Sequence, residues 1–261
     1  MSKKKTTKKA APKRRAPWAI LLVAALLVAV VIGIVLLRDR QEGPGNSTTG
    51  PQNVATGNFN PAGTKPTIKI DQMQDIESEI YKGLQVTKIG SYTGLFVEDG
   101  SDEVLSRILM VIVKNTGTKT VQYAEIELTD GNTTACFSLT TLPPGESVVL
   151  LEKNRMLYAD GKDLSEITFR NVAVFPQEPS LCEDRIQIQA LDGVLNVTNI
   201  SGQDIEGDVV IYYKNASSDL LYGGITYRVT IKGGIKAGEV KQLQASHYAA
   251  KGSRVMWVTV G

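Results

Sequence analysis

Apolar positions along the chain fall into three regimes. Residues 17–37 read PWAILLVAALLVAVVIGIVLL, an unbroken apolar run without a charge. From 41 to about 66 the chain becomes QEGPGNSTTGPQNVATGNFNPAGTKP, with almost no apolar period. Short alternating runs then take over: LQVTKIG, YTGLFVE, VLSRILMVIVKN, VQYAEIELTD, TACFSLTTL, ESVVLLEK and ITFRNVAVF, followed by RIQIQA, VLNVTN, DIEGDVVIYYK, ITYRVTIKG, EVKQLQAS and RVMWVTV. Their period of two, their Val, Ile, Thr and aromatic content, and the Gly, Asp, Asn and Pro between them predict strands and turns. Glu98-Asp99-Gly100-Ser101, Thr129-Asp130-Gly131-Asn132 and Leu191-Asp192-Gly193 are the clearest turn signals. Only residues 71–82, with Met73, Ile76 and Ile80 at roughly helical spacing, suggest a turn or two of helix.

The apolar run is long enough, at about 1.5 Å per residue, to cross a bilayer as a helix. Charge then orients it. The first sixteen residues hold eight Lys or Arg and no acid, and Arg38 and Arg40 follow the run. The basic side is expected to remain cytoplasmic and the remainder to lie outside. No small-residue cleavage pattern ends the run, so it reads as an uncleaved signal anchor. Past the tail, 21 basic residues face 27 acidic ones. The basic tail has a rival reading as a nucleic-acid or acidic-lipid arm. Topology already accounts for its charge, it has no interleaved aromatics, and no nucleic-acid partner is expected. Ala25, Ala29 and Gly33 share one face of the predicted span, a stripe on which a homodimer would pack.

The phrase VIVKNTGTKTVQYAEIEL from Val111 returns as LNVTNISGQDIEGDVVIY from Leu195. A shift of 84 puts Val113 on Val197, Asn115 on Asn199, Val121 on Ile205, Ile126 on Val210 and Leu128 on Tyr212. Further on, Gly145-Glu146 falls on Gly238-Glu239 with a shift of 93. A longer loop in the second copy, around 214–224, absorbs the difference. The alternative is convergence, because every sandwich needs strand–turn–strand phrases. Asn115, Asn199, Gly145 and Gly238 are therefore candidate structural turn residues.

Strand, Asn, turn, strand, Asp-Gly, strand, Pro-Gly-Glu, strand resembles the immunoglobulin-like accessory domains of bacterial envelope proteins, in particular the FxLYD type. The residues that carry the resemblance are Val113-Lys114-Asn115, Ile126 to Gly131 and Leu142 to Glu146, then Val197-Thr198-Asn199, Val210 to Tyr213 and Ala237-Gly238-Glu239. It implies an all-β fold of two immunoglobulin-like β-sandwich domains, acting outside the cytoplasm as spacers or protein contacts. The expected organisation is a basic cytoplasmic tail at 1–16, a transmembrane helix at 17–37, a flexible extracytoplasmic linker at 38–75, a first sandwich at 76–178 and a second at 179–261.

Candidate chemistry changes this picture little. His247 is the only histidine, which excludes multi-histidine metal sites, and no phosphate-cradling glycine loop is present. No catalytic residue, metal or cofactor is expected. The hairpin Glu98 to Glu103 carries four carboxylates, a calcium candidate whose spacing departs from the usual calcium loop and which reads equally as a solvated turn. Cys136 and Cys182 are a possible disulfide in an extracytoplasmic setting, or two separate buried thiols. Asn46, Asn132, Asn196, Asn199 and Asn215 each begin Asn-x-Ser/Thr. Function is expected to be non-enzymatic: a membrane-anchored structural or protein-interaction module, with an envelope protein as partner. The alternative is a glycan or cell-wall-fragment binder that uses Tyr212, Tyr213, Tyr222 and Tyr227 with Trp257 as an aromatic platform.

Overall fold

A computed structural model describes residues 68–261 apart from 77, 161–163, 165 and 218. The tail, the apolar run with its Ala25, Ala29 and Gly33 stripe, and the linker as far as residue 67 lie outside the described residues. Among those described, every regular element is a strand, and no helix is long and apolar enough to cross a membrane. In chain order they are β1 (Lys69–Asp75), β2 (Leu84–Leu95), β3 (Val104–Asn115), β4 (Val121–Thr129), β5 (Thr134–Leu142), β6 (Ser147–Leu151), β7 (Glu166–Val174), β8 (Ile186–Leu191), β9 (Val194–Asn199), β10 (Val209–Ala216), β11 (Leu221–Ile231), β12 (Val240–Gln244) and β13 (Ser253–Val260).

Three sheets result. A seven-stranded sheet runs β1-β2-β3-β6-β11-β10-β13, and two three-stranded sheets run β5-β4-β7 and β12-β9-β8. The duplication is visible in this order. β2-β3-β6 in the first half matches β8-β9-β12 in the second, and β5-β4-β7 matches β11-β10-β13. One trio from each half joins the large sheet, because β6 and β11 pair in parallel through Leu221 with Val148 and Tyr222 with Val149.

Alternation explains the layers. Ala124, Ile126 and Leu128 of β4 with Phe137 and Leu139 of β5 face Val86, Leu109, Val111, Val113 and Val148 of the large sheet. In the second half Leu195 and Val197 of β9 face Val209, Ile211, Tyr213 and Val258. Burying such side chains stabilises the fold by roughly 1.5–3 kcal/mol each. β3 and β6 are buried on their other face too, where Met110, Ile112, Val149 and Leu151 meet Tyr92, Phe96 and Tyr222. That double burial is why ILMVIV has no polar alternation.

The structure corrects the expected helical turns, and with them the outer end of the linker. Residues 69–75 are a strand, antiparallel to β2 with Lys69 opposite Thr93 and Asp75 opposite Lys88. A free edge on β2 and cores on both faces outweigh the local helical spacing. Ile70 packs on one core and Ile76 on another.

The repeat register also needs one correction. Val121 pairs with Leu142 as Ile205 pairs with Ile235, which keeps the shift of 84. Beyond that point Ala124, Ile126 and Leu128 are buried, as are Val209, Ile211 and Tyr213, so the shift becomes 85. Matching Ile126 to Val210 and Leu128 to Tyr212 turns the second strand inside out, since one residue of slip exchanges the faces. The shift then grows to 92, because Ala135 opposite Leu128 corresponds to Tyr227 opposite Tyr213. The extra residues lie between Tyr213 and Tyr227, where the longer loop was expected, and their far part is the stretch of β11 that pairs with β6.

Candidate binding groove

The sequence IQIQAL of β8 alternates, with Ile186, Ile188 and Ala190 turned towards the core and Gln187, Gln189 and Leu191 exposed. β8 pairs with β9 on one side only. On its other side Ile186 N–H donates to Cys182 O at 2.9 Å. Backbone groups alternate along an antiparallel strand, so those of Ile188 and Ala190 point the same way. Among the described residues no strand meets them. β13 likewise pairs with β10 alone, and on its outer edge Val258 N–H donates to Ser180 O at 2.8 Å while Val258 O accepts from Cys182 Sγ at 3.6 Å.

Between these two edges opens a cavity of about 600 Å³ lined mainly by Leu181, Ile186, Ile188, Ala190, Tyr248 and Val255. Its floor is the second core. Glu183 and Arg254 supply charge at its wall, and Arg254 is ion-paired with Glu146 of the first half.

The corresponding gap in the first half is closed. Leu84 of β2, opposite Asn115, matches Ile186 of β8, opposite Asn199. Beyond it, β1 with Ile76, Ser78 and Tyr81 covers the edge. Ile76 N–H donates to Thr87 O at 2.9 Å, Val86 N–H donates to Ser78 Oγ at 2.9 Å, and the Tyr81 ring stacks on Phe169 of β7 at 5.9 Å. Tyr158 holds this cover through Gln74 Nε2 at 3.3 Å. In the second half Tyr248, whose carbonyl accepts from Gly193 N–H as Met156 O accepts from Leu109 N–H, lines the open cavity.

The residues singled out from sequence divide clearly. Asn115 and Asn199 are 1 % exposed and make the same set of bonds. Nδ2 of Asn115 donates to Lys119 O and Leu142 O at 3.0 and 2.8 Å, while Nδ2 of Asn199 donates to Gln203 O and Ile235 O at 2.7 and 2.9 Å. Oδ1 accepts from Gly117 N–H and Ser201 N–H respectively. Their carbonyls accept from Gly145 and Gly238, which hold φ of 77° and 76°, a left-handed geometry that suits glycine. The side-chain amide, rather than a left-handed Asn, fixes the corner. A buried Asn199 so engaged carries no glycan.

Cys136 and Cys182 are free thiols, not a bridge. Cys136 lies mid-strand in β5 with its N–H on Glu152, whereas Cys182 lies beside Val258 in the other half. The four tyrosines do not form one platform. Tyr213 is buried in the second core, where burial pushes its hydroxyl up to about 12. Tyr227 stacks between Tyr213 and His247, Tyr222 packs on the third core, and Tyr212 lies outside on Trp257, with ring centroids 3.7 Å apart. The acidic hairpin is likewise dispersed. Arg155 pairs with Asp99 and Glu103, His247 Nδ1 meets Asp102 at 2.9 Å, and Glu98 turns inward. Among the described residues no group of acids, Cys and His could hold a metal ion.

Sequence reasoning missed the seam between the halves. Lys214 is 1 % exposed, and its ammonium donates to Thr140 O, Gly224 O and Ile225 O at 2.9, 3.1 and 2.8 Å, using all three of its donors. Glu98 accepts from Leu151 N–H at 2.8 Å and from Gly224 N–H at 2.7 Å. Burial pushes the Glu98 carboxyl above its ordinary range, opposed by these two amides and Lys214. Burial pushes Lys214 down, opposed by Glu98. A lysine inside VVIYYKNA, next to the expected insertion, was the available signal.

Comparison with known protein families, with curated proteins and with solved structures finds no match.

Proposed function

We propose that this chain is a membrane-anchored, non-enzymatic interaction module of the cell envelope, its two halves being immunoglobulin-like sandwiches that act outside the cytoplasm. The observation that carries the reading is the apolar groove beside the unpaired edge of β8. Soluble folds normally pair, cover or charge such edges. Here β8 offers backbone groups beside an apolar cavity, which suits contact with another protein. The seam supports the same reading, since it joins the halves through backbone pairing and holds the groove on a firm support. The run at 17–37 with its basic flank supports the anchor and the orientation.

Two measurements test it. Protease added to intact cells, with any outer barrier opened, is expected to remove the C-terminal unit. Full protection while a cytoplasmic marker also survives overturns the placement. A photo-crosslinking side chain at Gln187, on the groove, is expected to yield protein adducts in cells that the same group at Arg170 does not. Equal or absent adducts at both positions overturn the interaction reading.

A further inference from the structure

Resting on that reading, we propose that the groove is an acceptor for one extended segment of a partner protein, which adds to β8 as an antiparallel strand in the position that β1, Ile76 and Ser78 take on β2. The chain itself supplies the template. Matched strands leave matched edges: Leu84 bonds Tyr81 on β2, and Ile186 bonds Cys182 on β8. The next outward group on β2, Val86 N–H, is met by Ser78 Oγ. Its counterpart, Ile188 N–H, meets nothing among the described residues. In the first half Ile76 seats its side chain on the core behind that edge. In the second half the same place is the cavity of about 600 Å³.

A strand fits this site for two separate reasons. Its backbone satisfies Ile188 and Ala190, and its inward side chains fill the apolar space. A lipid chain or small apolar molecule fills the space but leaves the edge unpaired. The template also sets the chemistry of the segment: an apolar residue at the Ile76 position, with a hydroxyl two residues later to accept an edge N–H. Lys88, which pairs with Asp75 in the first half, corresponds to neutral Gln189, so recognition at that step does not depend on an acidic partner. A second copy of this chain is a poor donor. Its own segment of this kind is already paired on β2, and releasing it uncovers the first core. The occupant is therefore assigned to a different protein.

The test uses the full chain in lipid nanodiscs and a synthetic peptide, KIDQMQDIESEIY, copied from residues 69–81. Fluorescence titration is expected to show saturable binding below about 1 mM. Placing Asp at the peptide's Ile76 position, or N-methylating that amide, is expected to weaken binding at least about tenfold, or about 1.4 kcal/mol. Filling the groove with Ala190→Trp, in a protein whose melting temperature is unchanged, is expected to abolish binding. No binding by the parent peptide overturns the proposal, although crosslinks from Gln187 in cells would leave the interaction reading standing. Undiminished binding to Ala190→Trp moves the contact elsewhere, for example to a displaced β1, and overturns it. Full binding by the N-methylated peptide shows that the strand edge is unused and overturns it as well. A stable dimer of the chain alone, crosslinked through Gln187, makes a second copy the occupant and refutes the assignment to a partner.

Discussion

The first half covers the edge of β2 with β1 and Ile76, whereas the second half leaves the matching edge of β8 beside a cavity. The two halves share strand order, the buried asparagine corner and its glycine turn. They differ in what precedes the first strand of each trio. The first half receives a strand from upstream, while the second receives residues 175–185, which turn along β13 and bond it through Ser180. One fold thus yields a closed unit and an open one. The second half packs its core without such a cover.

The largest expected effect lies where the halves meet. A Cβ on Gly224 would lie 1.8 Å from Ser138 O, a backbone atom that has little room to move. Gly224→Ala is expected to cost more than about 4 kcal/mol and to uncouple or unfold the halves, read by denaturant unfolding. A single transition with little loss would show that the seam is not the hinge between the two regions.

Next come the corners that the halves share. Asn115→Ala and Asn199→Ala each remove two donors and one acceptor from buried backbone groups, an expected loss of about 3 kcal/mol apiece. A large difference between them, measured in the same urea titration, would break the equivalence of the halves.

The cover itself gives a smaller and deliberately unequal pair. Ile76→Ala is expected to cost about 2 kcal/mol, the lower end for a core truncation because the side chain is only partly buried. Ala190→Leu points into open space and is expected to change stability by less than about 0.5 kcal/mol. Tyr158→Phe loses its bond to Gln74 and is expected to cost about 1 kcal/mol, whereas Tyr248→Phe costs almost nothing. A cost at Tyr248 equal to that at Tyr158 would mean that the second half has a cover of its own.

The mildest effect is a pH dependence at the seam. Glu98 is raised above 4.5 by burial, so its contribution is present at low pH and is lost as pH rises through its folded value. Lys214 is lowered from 10.5, so its contribution is present at high pH and is lost as pH falls through its folded value. Melting temperature is therefore expected to dip between those ordinary values, and Glu98→Gln is expected to remove the acid side of the dip. An unchanged profile would separate the seam from the titration of this pair.

Much of the fold was legible locally. Period-two runs located the strands, and Asp-Gly and Pro-Gly steps located turns, because backbone preference and burial act residue by residue. The asparagine corners were legible as a repeated phrase, although their mechanism, a side chain bonding two carbonyls, required neighbours distant in sequence. The groove was not legible, since IQIQAL reads the same whether its outer edge is paired or bare. The aromatic platform failed on strand alternation: Tyr212 and Tyr213 are neighbours on β10 and point to opposite faces, so Tyr213 enters the core and Tyr212 does not.

The sequence by itself determined an all-β body written twice, with the longer loop placed around 214–224 and the apolar run placed at 17–37. Tertiary structure alone decided that β6 pairs with β11, that residues 69–75 extend along β2 instead of coiling, that Cys136 and Cys182 stay apart, and that β8 keeps a free edge. The physical reason is that a strand's propensity resides in its own side chains. Its partner is chosen by whichever distant edge remains unpaired beside a face that still has apolar surface to bury.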